Sequence, residues 1–537
     1  MEKKRATWNS RLTFILAAVG SAVGLGNAWR FPGLCAIHGG GAFLLVYVLL
    51  MCVFGIPLLH MEIAIGRKLK KGAPEAMRGM NKKTEPIGWA ATTNAYIIAI
   101  YYAVVFGWVI MMALYSWKFA TYTGSDAIEK ASSLWVNLTK SADEINNGKI
   151  TGNGIMSTPV FVCVIIAWIF IWYCIRNGAS SVSKVVKYTV SLPVICLVIL
   201  AIRGFTMKGA GAGLKHLFVP KFSALSDPTL WADAAGQVFY SLSIMMAIMF
   251  AYGSFLKEDA NVAVDGIIIA LSDFGTSLLS GIVLFTTMYG SGLEIKTASG
   301  IATAFLYYPM AIVNLTNVGV LNAIFAFVFY FCLCTLAIDS AFSIIEGVST
   351  ALSDKFHLKP QKTTLTLCLI AVILSMVFVT GGGVGWLDIV DNWCNSYNLI
   401  LIGILETIAI GWLFKPKKVL YEVNRNTKKF KMPAWWFITS IKFLAPVILT
   451  AMLGWNVFDL FSKKHGVYGG YKFWQNFVGG WLWTIVVFAS GFIVKLVVKH
   501  LKKKGFVENE ISWNDATYAE PLQPETVVEE VATEQKD

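Results

Sequence analysis

Apolar runs of about 20 residues, enough for a helix to cross a bilayer's hydrocarbon core, recur along almost the whole chain. They fall near 12–37, 41–66, 88–119, 158–176, 184–203, 231–256, 264–290, 319–352, 364–380, 387–413, 434–458 and 478–500. The pattern predicts about 12 transmembrane helices, with long loops at 120–157, 204–230 and 291–318. The first run differs from the rest: three glycines, an asparagine and an arginine interrupt it between Gly20 and Pro32. Gly costs about 1 kcal/mol relative to Ala inside a helix, and freed backbone groups cost more in hydrocarbon. Two readings follow. The stretch is a small-residue packing face through Gly20 and Gly24, or a helix broken at mid-depth whose N–H and C=O groups serve a substrate or an ion.

Composition supports the membrane class: 56% of residues are hydrophobic and 14% charged, against about 25% charged in soluble domains. The net charge of +13 follows topology. Lys3, Lys4 and Arg5 share a side with Lys68, Lys70, Lys71, Arg78, Lys82 and Lys83, with Lys355, Lys359 and Lys362, and with the basic runs at 415–431 and 499–504. By the positive-inside rule that side is cytoplasmic and holds both termini, although Arg203, Lys208, Lys215 and Lys221 oppose it. This distribution implies a lipid bilayer partner and no nucleic-acid surface. No signal peptide is expected. The nine cysteines stand mostly singly in apolar segments, which speaks against a disulfide framework or a metal cluster. The six dispersed histidines form no His-Glu-x-x-His, and no enzyme is expected. The tail over 501–537 is acidic after Lys504 and reads as disordered.

Four acids lie inside apolar segments: Glu62, Asp273, Asp339 and Glu406. Each costs roughly 2.5–3.5 kcal/mol at mid-membrane on insertion scales, and no basic residue inside these segments offers a counter-charge. Asp273 and Asp339 have hydroxyl neighbours, and hard oxygen donors suit a hard cation. Glu62 and Glu406 fit a structural role, accepting backbone N–H bonds from a broken helix. The sixth run carries Gln237, Tyr240, Ser241 and Ser243. Met245 and Met246 stand where a break would favour glycine, so a hydroxyl-rich packing helix and a broken helix both remain open.

Trp8, Gly20 to Pro32, Gly39-Gly40-Gly41-Ala42-Phe43, Glu62 with Gly66-Arg67, Tyr101-Tyr102, Gln237 to Ser243, Asp339-Ser340 and Asp388 with Asp391 occur in order over residues 5–413. Together they resemble the signature of the neurotransmitter:sodium symporter family. The resemblance implies an all-α integral membrane protein with a LeuT-type 5+5 inverted repeat, helices 1 and 6 being unwound at mid-membrane. Its parts would be a cytoplasmic segment over 1–10, repeat one over 11–203, an extracellular loop over 204–230, repeat two over 231–413, and helices 11 and 12 over 414–500. The implied activity is sodium-coupled import of a small molecule across the plasma (inner) membrane by alternating access.

The resemblance also assigns residues. A first sodium would meet Ala22, Asn27, Ser241 and Asp273; a second would meet Gly20, Val23, Leu336, Asp339 and Ser340. The substrate carboxylate would face the N–H groups of Leu25 and Gly26 and the Tyr102 hydroxyl. Its amine would face Ala22, Tyr240, Ser241 and Ser243. The polarity agrees with helix-end dipoles, positive at N-termini and negative at C-termini. The side-chain pocket would be Ile98, Tyr102, Tyr240, Met246, Ala341 and Ile344. Arg30 with Asp391 resembles the outer gate, and Arg5 with Asp354, beside Trp8, the inner one.

Three departures, at Asp273, at Met245-Met246 in place of the usual Gly and Phe, and in span five, together with the position that sets substrate class, Gly24, refine the expectation. Asp273 stands where the family has Asn, and Tyr47, Gln237, Ser241 and Ser277 resemble the chloride site of animal members. A fixed carboxylate there implies that chloride is not needed. Gly24 stands where monoamine members carry aspartate, so the substrate is expected to bring its own carboxylate: an amino acid, bulky and hydrophobic or aromatic given the apolar pocket and small Ala341. A small neutral amino acid is the alternative, as is a sodium-binding sensor without flux. Finally, the family's glycine-nine residues-proline pattern in span five is broken, with Tyr188 ten residues after Gly178 and the proline at Pro193.

Overall fold

The computed structural model describes residues 5–141, 150, 155–295, 299–428, 430–462 and 466–514. Those residues are helical almost throughout, with two isolated bridges, Gly40 to Pro220 and Met156 to Thr380, as the only β-pairing among them. The helices are α1 (Arg11–Ala22), α2 (Gly26–Ile37), α3 (Gly41–Leu69), α4 (Ala73–Met80), α5 (Glu85–Leu114), α6 (Ala127–Thr139), α7 (Thr158–Ile175) and α8 (Ala179–Phe205). There follow α9 (Ala210–Phe218), α10 (Pro228–Ser241), α11 (Ile248–Ser254), α12 (Val262–Gly290), α13 (Gly300–Ile312) and α14 (Gly319–Phe356). The chain continues through α15 (Pro360–Val379), α16 (Gly383–Leu413), α17 (Pro416–Asn424), α18 (Ala434–Ser462) and α19 (Phe473–Lys502).

Ten of these helices are long and apolar enough to cross a membrane, and α1 with α2, bent by 51° at their junction, makes an eleventh. The expected sixth span, 231–256, differs. It is divided into α10, 14 residues, and α11, 7 residues, and neither half is long enough to cross alone. The three regions expected as loops carry helices α6, α9 and α13. The third span starts at Glu85 and the fifth at Ala179, earlier than the apolar pattern suggests, because polar first turns continue the helix.

Local chemistry sets the helix starts. Ser10 caps α1 by accepting from the Thr13 N–H, and Thr13 answers on the Ser10 N–H in a capping box. Asp227 caps α10 ahead of Pro228, whose missing N–H costs nothing at that position. At the centre α5 and α14 pack along one another, α11 lies on α3, and α1 contacts α8, α12 and α14. Both broken helices therefore end inside the protein, where other elements can satisfy their backbone.

The C-terminal segment, expected to be disordered, differs in part. Within it Glu508 and Trp513 dock on the helices; residues 515–537 lie outside the described set. Glu508 pairs with Arg78 at 2.7 Å, Lys355 at 2.5 Å and Lys502 at 2.6 Å. The Trp513 N–H donates to the Gly79 carbonyl at 2.9 Å, and its ring lies 5.1 Å from Phe414. Glu75, Glu85 and Glu508 converge as a metal site would, but the Lys355 ammonium occupies their centre, 3.0 Å from Glu75 and 2.5 Å from the other two.

Candidate functional site

The site forms where the two breaks meet. Helix α1 ends at Ala22, with the Val23 N–H donating to Val19 O at 2.6 Å. The Ser21 carbonyl accepts from Ser243 Oγ at 2.8 Å and from Ser340 Oγ at 3.2 Å. Across the gap, 242–247 are non-helical, and Ser243, Met245 and Ala247 take φ of 52°, 63° and 61°. Left-handed backbone costs a non-glycine residue roughly 1–2 kcal/mol, so this break needs support. Glu62 supplies part of it: its Oε1 accepts from the Met245 N–H at 2.6 Å. The structural reading of Glu62 agrees with this contact. Glu406 is buried too, but its Oε1 has no partner among the described residues.

Asp273 is fully buried, within reach of three of the expected residues. Its carboxylate accepts from Asn27 Nδ2 at 2.6 Å, from Ser241 Oγ at 2.7 Å and from the Tyr47 hydroxyl at 3.2 Å. Ser277 joins through Asn27 at 2.8 Å. Gln237 instead directs its amide to the Gly26 carbonyl at 3.4 Å. The Asn27 oxygen accepts from the Gly24 N–H at 3.1 Å, so ligation of a cation by Asn27 requires the amide to turn over.

The second cluster centres on Asp339, which is 1% exposed, with Oδ1 lacking any hydrogen-bond partner. Among the described residues no basic side chain pairs with it. A methyl group on Gly20 would stand 2.6 Å from its Oδ2, so glycine is what lets α1 approach this carboxylate. Val23 and Leu336 line the same cavity as Gly20 and Asp339. Ser340 is adjacent in sequence but turns its hydroxyl to Ser21.

Between the clusters lies a cavity of 20 Å³ lined by Ala22, Ile98, Tyr102, Tyr240, Ser243, Met246, Ile344 and neighbours. Ala341 is buried but not among its walls. Leu25 and Gly26 are set back, and the Leu25 N–H donates to the Tyr102 hydroxyl at 3.4 Å. At Gly24 an added Cβ would lie 2.5 Å from Ser340 Oγ and 3.4 Å from the Tyr102 hydroxyl. Glycine at this position is a condition of the packing.

The two ion pairs expected as gates differ. Arg5 pairs with Asp354 at 2.6 Å and also donates to Ser254 at 2.7 Å, while Trp8 Nε1 donates to the Tyr252 carbonyl at 3.0 Å. No ion pair joins Arg30 to Asp391 among the described residues, contrary to the expected outer pair. Arg30 lies 5.7 Å from the Tyr240 ring, and Asp391 accepts from Asn395 at 2.8 Å. Both line a cavity of 340 Å³ whose walls include Tyr102 and Tyr240. These two tyrosines separate it from the smaller cavity, so the molecule is open on the Arg30 side and closed on the Arg5 side. Sequence reasoning missed the Ser21 carbonyl as the meeting point of Ser243 and Ser340. No signal in residue type marks a backbone acceptor.

The fold and site are those of a multi-pass membrane transporter. The sequence profile of the Sodium:neurotransmitter symporter family matches residues 5–133 and 118–503, and the chain belongs to that family. The match extends through α18 and α19, beyond the motifs. A sodium-dependent transporter of Methanocaldococcus jannaschii is 32% identical over 510 residues, covering 93% of this chain and 98% of the relative. The human sodium- and chloride-dependent neutral and basic amino acid transporter B(0+) is 27% identical over 565 residues, covering 93% and 86%. The crystal structure of MhsT in complex with L-phenylalanine shares the fold at a TM-score of 0.71 and 26% identity, covering 84% of this chain and 99% of that one. The family is one of sodium-dependent transporters, not enzymes.

Proposed function

We propose that this chain is a sodium-coupled symporter importing a hydrophobic or aromatic amino acid, independently of chloride, across the plasma (inner) membrane with both termini cytoplasmic. The observation that carries the substrate class is the packing at Gly24. A side chain there would bring its Cβ to 2.5 Å from Ser340 Oγ, which favours glycine, and with no protein carboxylate at Gly24 the substrate brings its own. The Leu25 N–H and Tyr102 hydroxyl face each other where that carboxylate is received. Asp273 supports chloride independence: a buried carboxylate already engages Ser241 and Tyr47, the donors an anion would need. The oxygens near Asp273 and Asp339 fit two sodium ions as co-substrates. One sodium moving down a tenfold gradient and 100 mV releases roughly 1.4 plus 2.3 kcal/mol, and two release about 7 kcal/mol. The L-phenylalanine bound to MhsT supports a bulky side chain.

The test is competition by all twenty amino acids against sodium-dependent uptake in proteoliposomes. Hydrophobic and aromatic amino acids compete if the reading holds. Uptake indifferent to sodium, or competition by amines without a carboxylate, overturns it. The 20 Å³ cavity favours a second reading, a small neutral amino acid, which competition by glycine and alanine alone would establish. Saturable binding without counterflow of labelled substrate would identify a sensor.

A further inference from the structure

A cavity of 540 Å³ opens between α1, α8, α12 and α14, away from both the substrate cavity and the outer vestibule. That volume lies within the range of about 300–1,000 Å³ usual for small-molecule sites. Its mouth is formed by exposed residues on the membrane-facing surface, Val194 (41% exposed) and Ile195 (54%) on α8 and Gly275 on α12. Its walls are largely aliphatic, with Ile15, Leu16 and Val19 along one side. Of the hydroxyls that reach it, Thr276 donates to Ser272 O at 2.9 Å, Thr335 to Cys332 O at 2.7 Å and Thr189 to Val185 O at 3.3 Å, and the Thr189 side chain also approaches the Asp339 carboxylate. At the inner end stands Asp339, 1% exposed, with Oδ1 unpartnered. The cavity is therefore an apolar passage from the bilayer to a buried carboxylate.

We propose that this crevice binds a long-chain primary alkylammonium drawn from the bilayer, its ammonium on Asp339 and its chain along Ile15, Leu16 and Ile195, in competition with the cation that Asp339 attracts. The chemistry selects this class. A phosphate headgroup is repelled by the carboxylate and finds no lysine or arginine in the walls. A neutral sterol or alkane fills the walls but leaves the acceptor unpaired, at a cost of about 1–3 kcal/mol for a buried polar group. A primary ammonium offers three donors and the opposite charge on a narrow stem. Competition with sodium rests on the reading of Asp339 as a cation seat; binding of the amphiphile does not require that sodium be transported.

The test uses labelled dodecylammonium and the full-length protein in phosphatidylcholine nanodiscs, with radiolabelled sodium binding measured in parallel. Gly275→Leu narrows the mouth: a Cβ there meets no atom within 4 Å, and leucine is the better helix former. Saturable dodecylammonium binding at one site per chain is expected, displaced by sodium and weakened about tenfold by Gly275→Leu, with sodium binding unchanged. Gly275→Ala should bind as the native chain does. Non-saturable partitioning, equal binding in Gly275→Leu, or equal displacement by dodecanol overturns the proposal. Sodium binding without dodecylammonium binding defeats this inference and leaves the symporter reading standing. Dodecylammonium binding without sodium binding does the reverse.

Discussion

Single residues decide what the site accepts. Gly24 is held between Ser340 and Tyr102, and Gly24→Ala places a methyl 2.5 Å from the Ser340 hydroxyl. Overpacking of this kind costs about 1–3 kcal/mol, which corresponds to a rise of about 5- to 150-fold in the substrate concentration needed for half-maximal uptake. A normal half-maximal concentration in Gly24→Ala would show that α1 yields and that Gly24 does not shape the site. Asp273 makes an independent prediction. Its charge is fixed inside a shell of Asn27, Ser241 and Tyr47, so uptake in gluconate should equal uptake in chloride. Asp273→Asn removes the charge and should lower uptake in gluconate, with chloride restoring part of it. That Asn27, Ser241 and Tyr47 would surround Asp273 is what the family resemblance implies. The buried acid itself is legible in the sequence because a charge inside an apolar run is costly without partners. The rotation of the Asn27 amide is not, since it depends on where the Gly24 N–H happens to point.

At the scale of elements, the two breaks differ in how plainly the sequence announces them. Gly20, Gly24 and Gly26 mark the first, because glycine is the residue that tolerates a helix end and close approach. The second has Met245 at φ 63° and Ala247 at φ 61°, positions where side-chain type argues for a continuous helix. What holds it open is tertiary: the Glu62 carboxylate, 183 residues away, accepts from the Met245 N–H. A long-range acceptor of this kind leaves no local signature, which is why the sequence leaves span six undecided between helix and break. The contact is testable. Glu62→Ala strands a buried N–H, costing about 1–3 kcal/mol, and should lower the thermal midpoint in detergent. Glu62→Gln keeps a carbonyl oxygen in reach of Met245 and should recover most of the loss. Equal destabilisation by both would mean that the charge, not the hydrogen bond, supports the break.

Across the whole molecule, the end that carries Arg5 and Lys355 is tied together by the segment that composition alone assigns to disorder. An acidic, proline-bearing tail has no reason to order by itself. Glu508 orders it because Arg78 of α4, Lys355 of α14 and Lys502 of α19 converge on one carboxylate. Lys355 follows Asp354, the partner of Arg5, so the same helix end carries both the Arg5–Asp354 pair and the anchor of the tail. Burial alone would raise the Glu508 carboxyl; hydrogen bonds from Lys355 and Lys502 and the nearby charges overcome it and lower it from 4.5 to about 2. A carboxylate lowered on folding stabilises the folded state fully above its unfolded value, and that contribution fades as pH falls through the folded value. This clasp should therefore be intact at neutral pH and weaken between about pH 4.5 and 2. Thermal midpoints measured across that range should fall more steeply for the native chain than for Glu508→Gln, which has no charge to lose. At neutral pH the variant should already be the less stable of the two. Parallel pH profiles would mean that the ion pairs of Glu508 add nothing and that the tail contributes only through Trp513 and Phe414.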